Sequence, residues 1–170
     1  MEFTLPPVLH NEQGKLRTVG FEIEFANLGI ADSVRILQDL YGGTVEKEGR
    51  FKHKVTGTCL GDFTVEFDLT LLTEKGYRKF LDPFNIKLDQ ITFGAGTLED
   101  TVEDALEKIV GKIFPYEIAC PPVPVTELYQ LEKLRAALYE HKAEGTETFP
   151  TNAFGTHINV EAPDLKCETM

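Results

Sequence analysis

Four short segments alternate polar, mostly acidic, residues with apolar ones: Phe21-Glu22-Ile23-Glu24-Phe25, Phe63-Thr64-Val65-Glu66-Phe67-Asp68, Tyr116-Glu117-Ile118 and His157-Ile158-Asn159-Val160-Glu161. Successive side chains of a β-strand point to opposite faces. Glu22 and Glu24 then share a face, as do Glu66 and Asp68, and His157, Asn159 and Glu161. Phe21, Ile23, Phe25, Val65, Phe67, Ile118, Ile158 and Val160 form the other, core-like side. In a single sheet the polar side would be an array of carboxylates. Carboxylates two residues apart on a strand sit about 7 Å apart and repel by roughly 2.4 kcal/mol at an effective dielectric near 20. Several such pairs need full solvation or cations. Carboxylate oxygens are hard ligands for Mg2+ or Mn2+, and ions of that kind commonly hold phosphates. The plainer alternative is an antiparallel sheet with one wet face, where alternating Glu is ordinary. Four acidic strands without Lys or Arg on that face favour the cations.

Each motif alone is weak. Glu22-x-Glu24 and Glu66-x-Asp68 have the spacing to share divalent ions, and Glu117 stands by itself. His157 is either a hydrogen-bonded structural residue or a contact to metal, phosphate or substrate. Gly94-Ala95-Gly96-Thr97 lacks the lysine of a phosphate-binding loop and reads as a loop and helix cap. Cys120, beside Pro121-Pro122 with no cationic neighbour in sequence, reads as a buried thiol. The basic stretch 47–54, with Lys47, Arg50, Lys52, His53 and Lys54, is a solvated hairpin or a cover for a bound nucleotide's phosphates.

Composition bounds the class. At 170 residues the chain is expected to be one domain, long enough to bury a real core. A net charge of −11 disfavours a general nucleic-acid or anionic-membrane surface and permits cation binding. Three cysteines, Cys59, Cys120 and Cys167, match no zinc or redox spacing, so reduced thiols in a cytoplasm are expected. No export signal or membrane span is visible.

The elements that must position these residues run β-α-β-α-β-α-β. A first strand is expected over 17–27. A helix capped by Asp32 or Ser33 carries Val34, Leu37, Leu40 and Tyr41 and stops at Gly42-Gly43. A hairpin or edge strand follows over 44–58, then the second acidic strand, a weak helix over 71–81, and an acidic helix opened by Thr97 with its apolar stripe running to Ile113. After the third strand, Thr126 caps a helix with Leu128, Leu131, Leu134 and Leu138 inward and Gly145 at its end; the fourth strand begins near Ala153. Alternating rather than wholly apolar strands favour an α+β fold, with a mainly antiparallel sheet, helices on its apolar face and an open acidic face.

Taken in order, Val19-Gly20-Phe21-Glu22-Ile23-Glu24-Phe25, Phe63-Thr64-Val65-Glu66-Phe67-Asp68, Tyr116-Glu117-Ile118-Ala119-Cys120-Pro121-Pro122 and Phe154-Gly155-Thr156-His157-Ile158-Asn159-Val160-Glu161 resemble the amidoligase family. That family belongs to the carboxylate–amine ligases, with glutamine synthetase and glutamate–cysteine ligase. The resemblance spans about residues 17–161. It implies a glutamine synthetase-like sheet whose concave face binds ATP and two or three Mg2+ ions. A substrate carboxylate attacks the γ-phosphate of ATP, and an amine from a small molecule, peptide or protein captures the acyl phosphate. Carried over, Glu22, Glu24 and Glu117 ligate metal. His157 is a ligand or phosphate contact, Asp68 sits in the site with a catalytic role, and Glu66, Asn159 and Glu161 contact the cofactor. The chain departs from the pattern at Leu69-Thr70, where the family tends to have Gly-Ser, and at Cys120, where it often has Ser. Members usually run to about twice this length, so an N-terminal part of a catalytic domain is expected, completed by a downstream segment or a second chain that supplies further sheet and arginines.

Two other classes compete. A triphosphate-tunnel hydrolase also opens on an acid-x-acid strand, but it needs a Lys where Ala26 stands and many inward cations. A non-catalytic binding or assembly module could descend from a ligase half.

Overall fold

A computed structural model describes residues 4–49, 51–67, 116–145 and 155–166. Asp68, the stretches expected to be helical over 71–81 and 97–113, the Gly94–Thr97 loop and Ala153 lie outside the described residues.

The alternating segments form strands, as β-branched and aromatic residues on a half-buried surface should. These are β1 (Thr18–Phe25), β4 (Phe63–Phe67), β5 (Tyr116–Ala119) and β7 (Thr156–Val160). The basic stretch is a hairpin of β2 (Thr44–Lys47) and β3 (Lys52–Thr56), and β6 is the short Val123–Pro124. They join one seven-stranded sheet, β2-β3-β4-β5-β1, with β6 and β7 also paired to β1. Every pairing among the described strands is antiparallel. The fold is α+β, with α1 (Ile30–Tyr41) and α2 (Tyr129–Glu140) as its described α-helices.

β1 lies inside the sheet, between two neighbours. The carbonyls of Phe21 and Arg17 accept from Cys120 and Val125, whereas the Glu24 N–H donates to the Gly155 carbonyl and the Thr18 carbonyl accepts from Glu161. Odd positions of β1 therefore face β5 and β6, and even positions face β7. Between the pairs Glu22↔Ala119 and Thr18↔Pro124, β1 advances four residues and its partner five. The extra residue is a bulge at 120–122, where Pro121 and Pro122 have no N–H to give to a ladder.

The helices cover the apolar face. Ile30, Val34, Leu37 and Tyr41 recur at helical spacing and are buried. Leu131, Leu134 and Leu138 do the same on α2. Both helices pack with Val55, Phe63, Val65 and Ile118 in one core. The Tyr41 ring stacks on Phe63 at 5.2 Å, and its hydroxyl donates to the Gln130 carbonyl at 2.7 Å.

Three local expectations need correction. Helix α1 starts before Asp32 and Ser33, with Gly29 at the N-cap; Ser33 lies within the first turn and returns its hydroxyl to the Gly29 carbonyl at 2.9 Å. Burial of Ile30 extends the helix past the polar capping signal. Thr126 sits in a 3-10 turn, Val125–Glu127, ahead of α2. There Val125 is buried, and its N–H donates to the carbonyl of Arg17 at the base of β1. Helix α2 stops at Glu140 rather than near Gly145, because Ala26 and Glu144 exchange backbone hydrogen bonds in a β-bridge. A larger correction concerns β7. Ile158 and Val160, expected in the core, are 58% and 55% exposed. Helix α1 packs over β3 and β4, and β7 lies on the far side of β1. No helix among the described residues is long and apolar enough to cross a membrane.

Gly43 links α1 to the hairpin with φ +95°, and a Cβ there would lie 2.7 Å from the Thr56 carbonyl oxygen and 2.9 Å from Thr58 Cγ2. Gly43→Ala is expected to destabilise the fold by about 2 kcal/mol in urea titration; unchanged stability would show that this turn is not constrained.

Candidate functional site

Residues directly opposite each other in adjacent strands share a face. The pairings Glu24↔Glu117, Glu66↔Glu117 and Lys52↔Glu66 therefore build one continuous row across four strands: Glu24 (β1), Glu117 (β5), Glu66 (β4) and Lys52 (β3). A second row on the same face reads His157 (β7), Glu22 (β1), Ala119 (β5), Thr64 (β4) and Lys54 (β3). Cross-strand neighbours have Cβ atoms about 4.5–5.5 Å apart, closer than the roughly 7 Å between Glu22 and Glu24 along β1. Three carboxylates thus stand in sequence across the sheet, not merely in pairs along a strand.

The surroundings handle these charges unevenly. Lys52 Nζ lies 2.7 Å from Glu66 Oε2, ending the acidic row with a cation. Bonding to Glu66, with the further charges of Glu48 and Glu117, makes Lys52 hold its proton more tightly than usual. Glu24 Oε2 accepts the Gly155 N–H at 2.9 Å. His157 Nδ1 lies 2.9 Å from Glu22 Oε2, and Asn159 Nδ2 lies 3.5 Å from Glu22 Oε1. The hydrogen bond to Glu22, followed by the charge of Glu24, raises the His157 pKa above its ordinary value; Glu117 adds to this. The imidazole thus feels all three carboxylates.

Glu161 serves a different end of β7. Its carboxylate accepts from Asn11 Nδ2 at 2.7 Å and from the Thr18 N–H at 2.8 Å, while its carbonyl accepts from Arg17 Nε at 2.7 Å. The Asn11 and Thr18 bonds hold its pKa below the usual carboxylate range. It is occupied in fastening β7 to the N-terminal turn. An open groove of about 600 Å3 beside β1 and β7 is lined by residues including Gly20, Glu22, Ala119, Cys120, Asn159 and Glu161. Glu24, Glu117 and Glu66 are not among its lining residues. Cys120 is buried, and burial pushes its thiol up to about 12, so it has no thiolate to offer as a nucleophile.

The sheet therefore brings together Glu22, Glu24, Glu66, Glu117, His157 and Asn159; Glu161 lines the groove with Glu22 and Asn159 while its carboxylate is held by Asn11 and Thr18, and Asp68 lies outside the described residues. In kind, the oxygen donors suit Mg2+ or Mn2+. Among the described residues, no group of three His, Cys, Asp or Glu side chains is gathered closely enough to hold an ion as it stands. Lys52 and Lys54 were not foreseen as members of this face. Their period-2 spacing on the strand that pairs with Phe63–Phe67 was the available signal.

A family model described as a putative amidoligase enzyme matches residues 15–170, which contain all four acidic strands. The chain belongs to the amidoligase family. No curated protein and no solved structure matches it. Ligase is accordingly the broad class of this amidoligase-family chain, and its polar sheet face carries Glu22, Glu24, Glu66, Glu117, His157 and Asn159.

His157 binds its proton more tightly in the folded state than in the unfolded one. That stabilisation is full below the ordinary value of 6.5 and is lost as pH rises through the raised folded value. In chelator-treated buffer, the Tm difference between wild type and His157→Gln is expected to be widest below the ordinary value of 6.5 and to shrink as pH rises through the raised folded value. A difference that stays constant with pH would show that the pair with Glu22 carries no charge.

Proposed function

We propose that this protein is an ATP- and Mg2+- or Mn2+-dependent carboxylate–amine ligase, or the N-terminal part of such a catalytic domain. The in-register row Glu24–Glu117–Glu66, with Glu22 beside it, carries this reading. Like charges directly opposite in a sheet are destabilising, and a divalent cation relieves them while presenting its own charge to phosphate. Glu24, Glu117 and Glu22 would hold the ion, with their side chains drawing together upon it. When bound, the ion supplies the positive charge that stabilises phosphoryl transfer.

The remaining roles fall to the chain's own groups. A substrate carboxylate oxygen attacks the γ-phosphorus, and the bond to ADP breaks. An amine nitrogen then attacks the acyl carbon, phosphate leaves, and an amide forms with loss of a proton. His157 orients Glu22 through the 2.9 Å contact and can carry a proton at the edge of the site. Asn159 supports the same carboxylate. Asp68, two residues after Glu66 in the sequence, is assigned to metal or substrate. Glu66 is held in reserve by Lys52. Glu161 contributes by fixing β7 rather than by touching nucleotide. The substrates are a small-molecule carboxylate and an amine borne by a small molecule, peptide or protein, in a reducing, cytoplasmic setting.

One observation favours a second reading, a non-catalytic binding or assembly module: no three-ligand set is preformed among the described residues. Ligand-linked stability separates the two. At 100-fold excess over Kd, MgATP is expected to stabilise the wild type by about 2.7 kcal/mol, and Glu24→Gln/Glu117→Gln is expected to abolish the effect. ADP release should then require both a carboxylate and an amine. A wild-type melting temperature indifferent to saturating MgATP would overturn the ligase reading for this chain.

A further inference from the structure

Lys52 and Lys54 stand two residues apart on β3 and share the face that carries Glu66, Glu117 and Glu24. In a chain of net charge −11, they reverse the local sign at one end of an acidic row. β3 is two strand spacings, about 10 Å, from β5, and the charge of Glu117 already reaches Lys52. Neither lysine is firmly committed. Lys52 is paired with Glu66, the two side chains being 43% and 36% exposed, and Lys54 Nζ lies 2.6 Å from the similarly exposed Glu48 Oε1. Exposed ion pairs of this kind contribute little to stability, so both ammonium groups can exchange a carboxylate for a better anion.

We propose that Lys52 and Lys54 bind the polyphosphate of the nucleotide, at the opposite end of the same face from the carboxylates that hold the metal. This rests on the ATP-dependent reading of the site and adds its anion-binding half. The pattern suits a chain of phosphoryl groups better than a lone carboxylate. Two ammonium groups follow one another along β3 at a repeat of about 7 Å, and an ion on Glu24 and Glu117 joins the phosphates to the acidic end. A divalent cation on Glu24 and Glu117 cancels the Glu117 charge that also acts on Lys52, and the exposed Lys52–Glu66 pair can open to a phosphate group that offers charge-assisted hydrogen bonds. Binding would thereby release Glu66 from Lys52.

Calorimetric titration of the full chain with ATP, ADP and AMP in Mg2+ tests this. Lys52→Gln/Lys54→Gln is expected to weaken ATP by about tenfold or more per lysine, to weaken AMP far less, and not to diminish the thermal shift caused by Mg2+ alone. Lys52→Arg/Lys54→Arg, which keeps the charge, should restore most of the ATP affinity. Undiminished ATP affinity in the Gln variant, while Glu24→Gln/Glu117→Gln loses it, would sink the lysine assignment and leave the ligase reading standing. Equal losses for ATP and AMP would also overturn it, by showing a structural role. Wild-type protein that binds no nucleotide would remove both.

Discussion

The arrangement depends on the register between β1, β5 and β4. Antiparallel pairing sets Glu24, Glu117 and Glu66 directly opposite one another, at the shortest side-chain separation a sheet offers. Such a row works against the pairing that creates it. The pairing survives because the other face of the same strands is held by Phe63, Val65 and Ile118, all wholly buried against the helices. A one-residue slip would exchange these faces, sending carboxylates into the core. Hydrophobic burial on one side therefore fixes the electrostatic strain on the other.

Position within the sheet then divides the charged residues among different tasks. Glu22 and Glu24 lie on β1, with a partner strand on each side, and so meet Glu117 across one edge and His157 across the other. Glu66 lies one strand further out and is claimed by Lys52. Glu161 lies at the far end of β7, where Asn11, Thr18 and Arg17 converge on it. The proline bulge after β5 lets the chain stay on the same edge of β1 as it enters β6 and the turn before α2.

Much of this was legible because strand alternation is local. The period-2 pattern of Phe21 to Phe25 and of Phe63 to Phe67 allows only one assignment of faces, and the stripe Leu131, Leu134, Leu138 allows only one inward side for α2. Element ends were less legible, because they depend on contacts distant in sequence. Helix α1 gained its first turn from the burial of Ile30, and α2 stopped early through the bridge between Ala26 and Glu144. β7 shows the limit of alternation as evidence: its apolar residues have the right spacing, yet Ile158 and Val160 face water because the strand sits beyond the described helices' cover.

The linear order of residues was enough to say which side chains share a face within each strand, that the strands are antiparallel in character, and which family the motifs resemble, because each of these follows from local spacing and residue type. Only tertiary structure decided that the carboxylates form a row with Lys52 at its end, that His157 lies against Glu22, and that Glu161 is bonded to Asn11 and Thr18. Those facts depend on strand order and register, which arise from packing and hydrogen bonding between segments up to 150 residues apart in the chain.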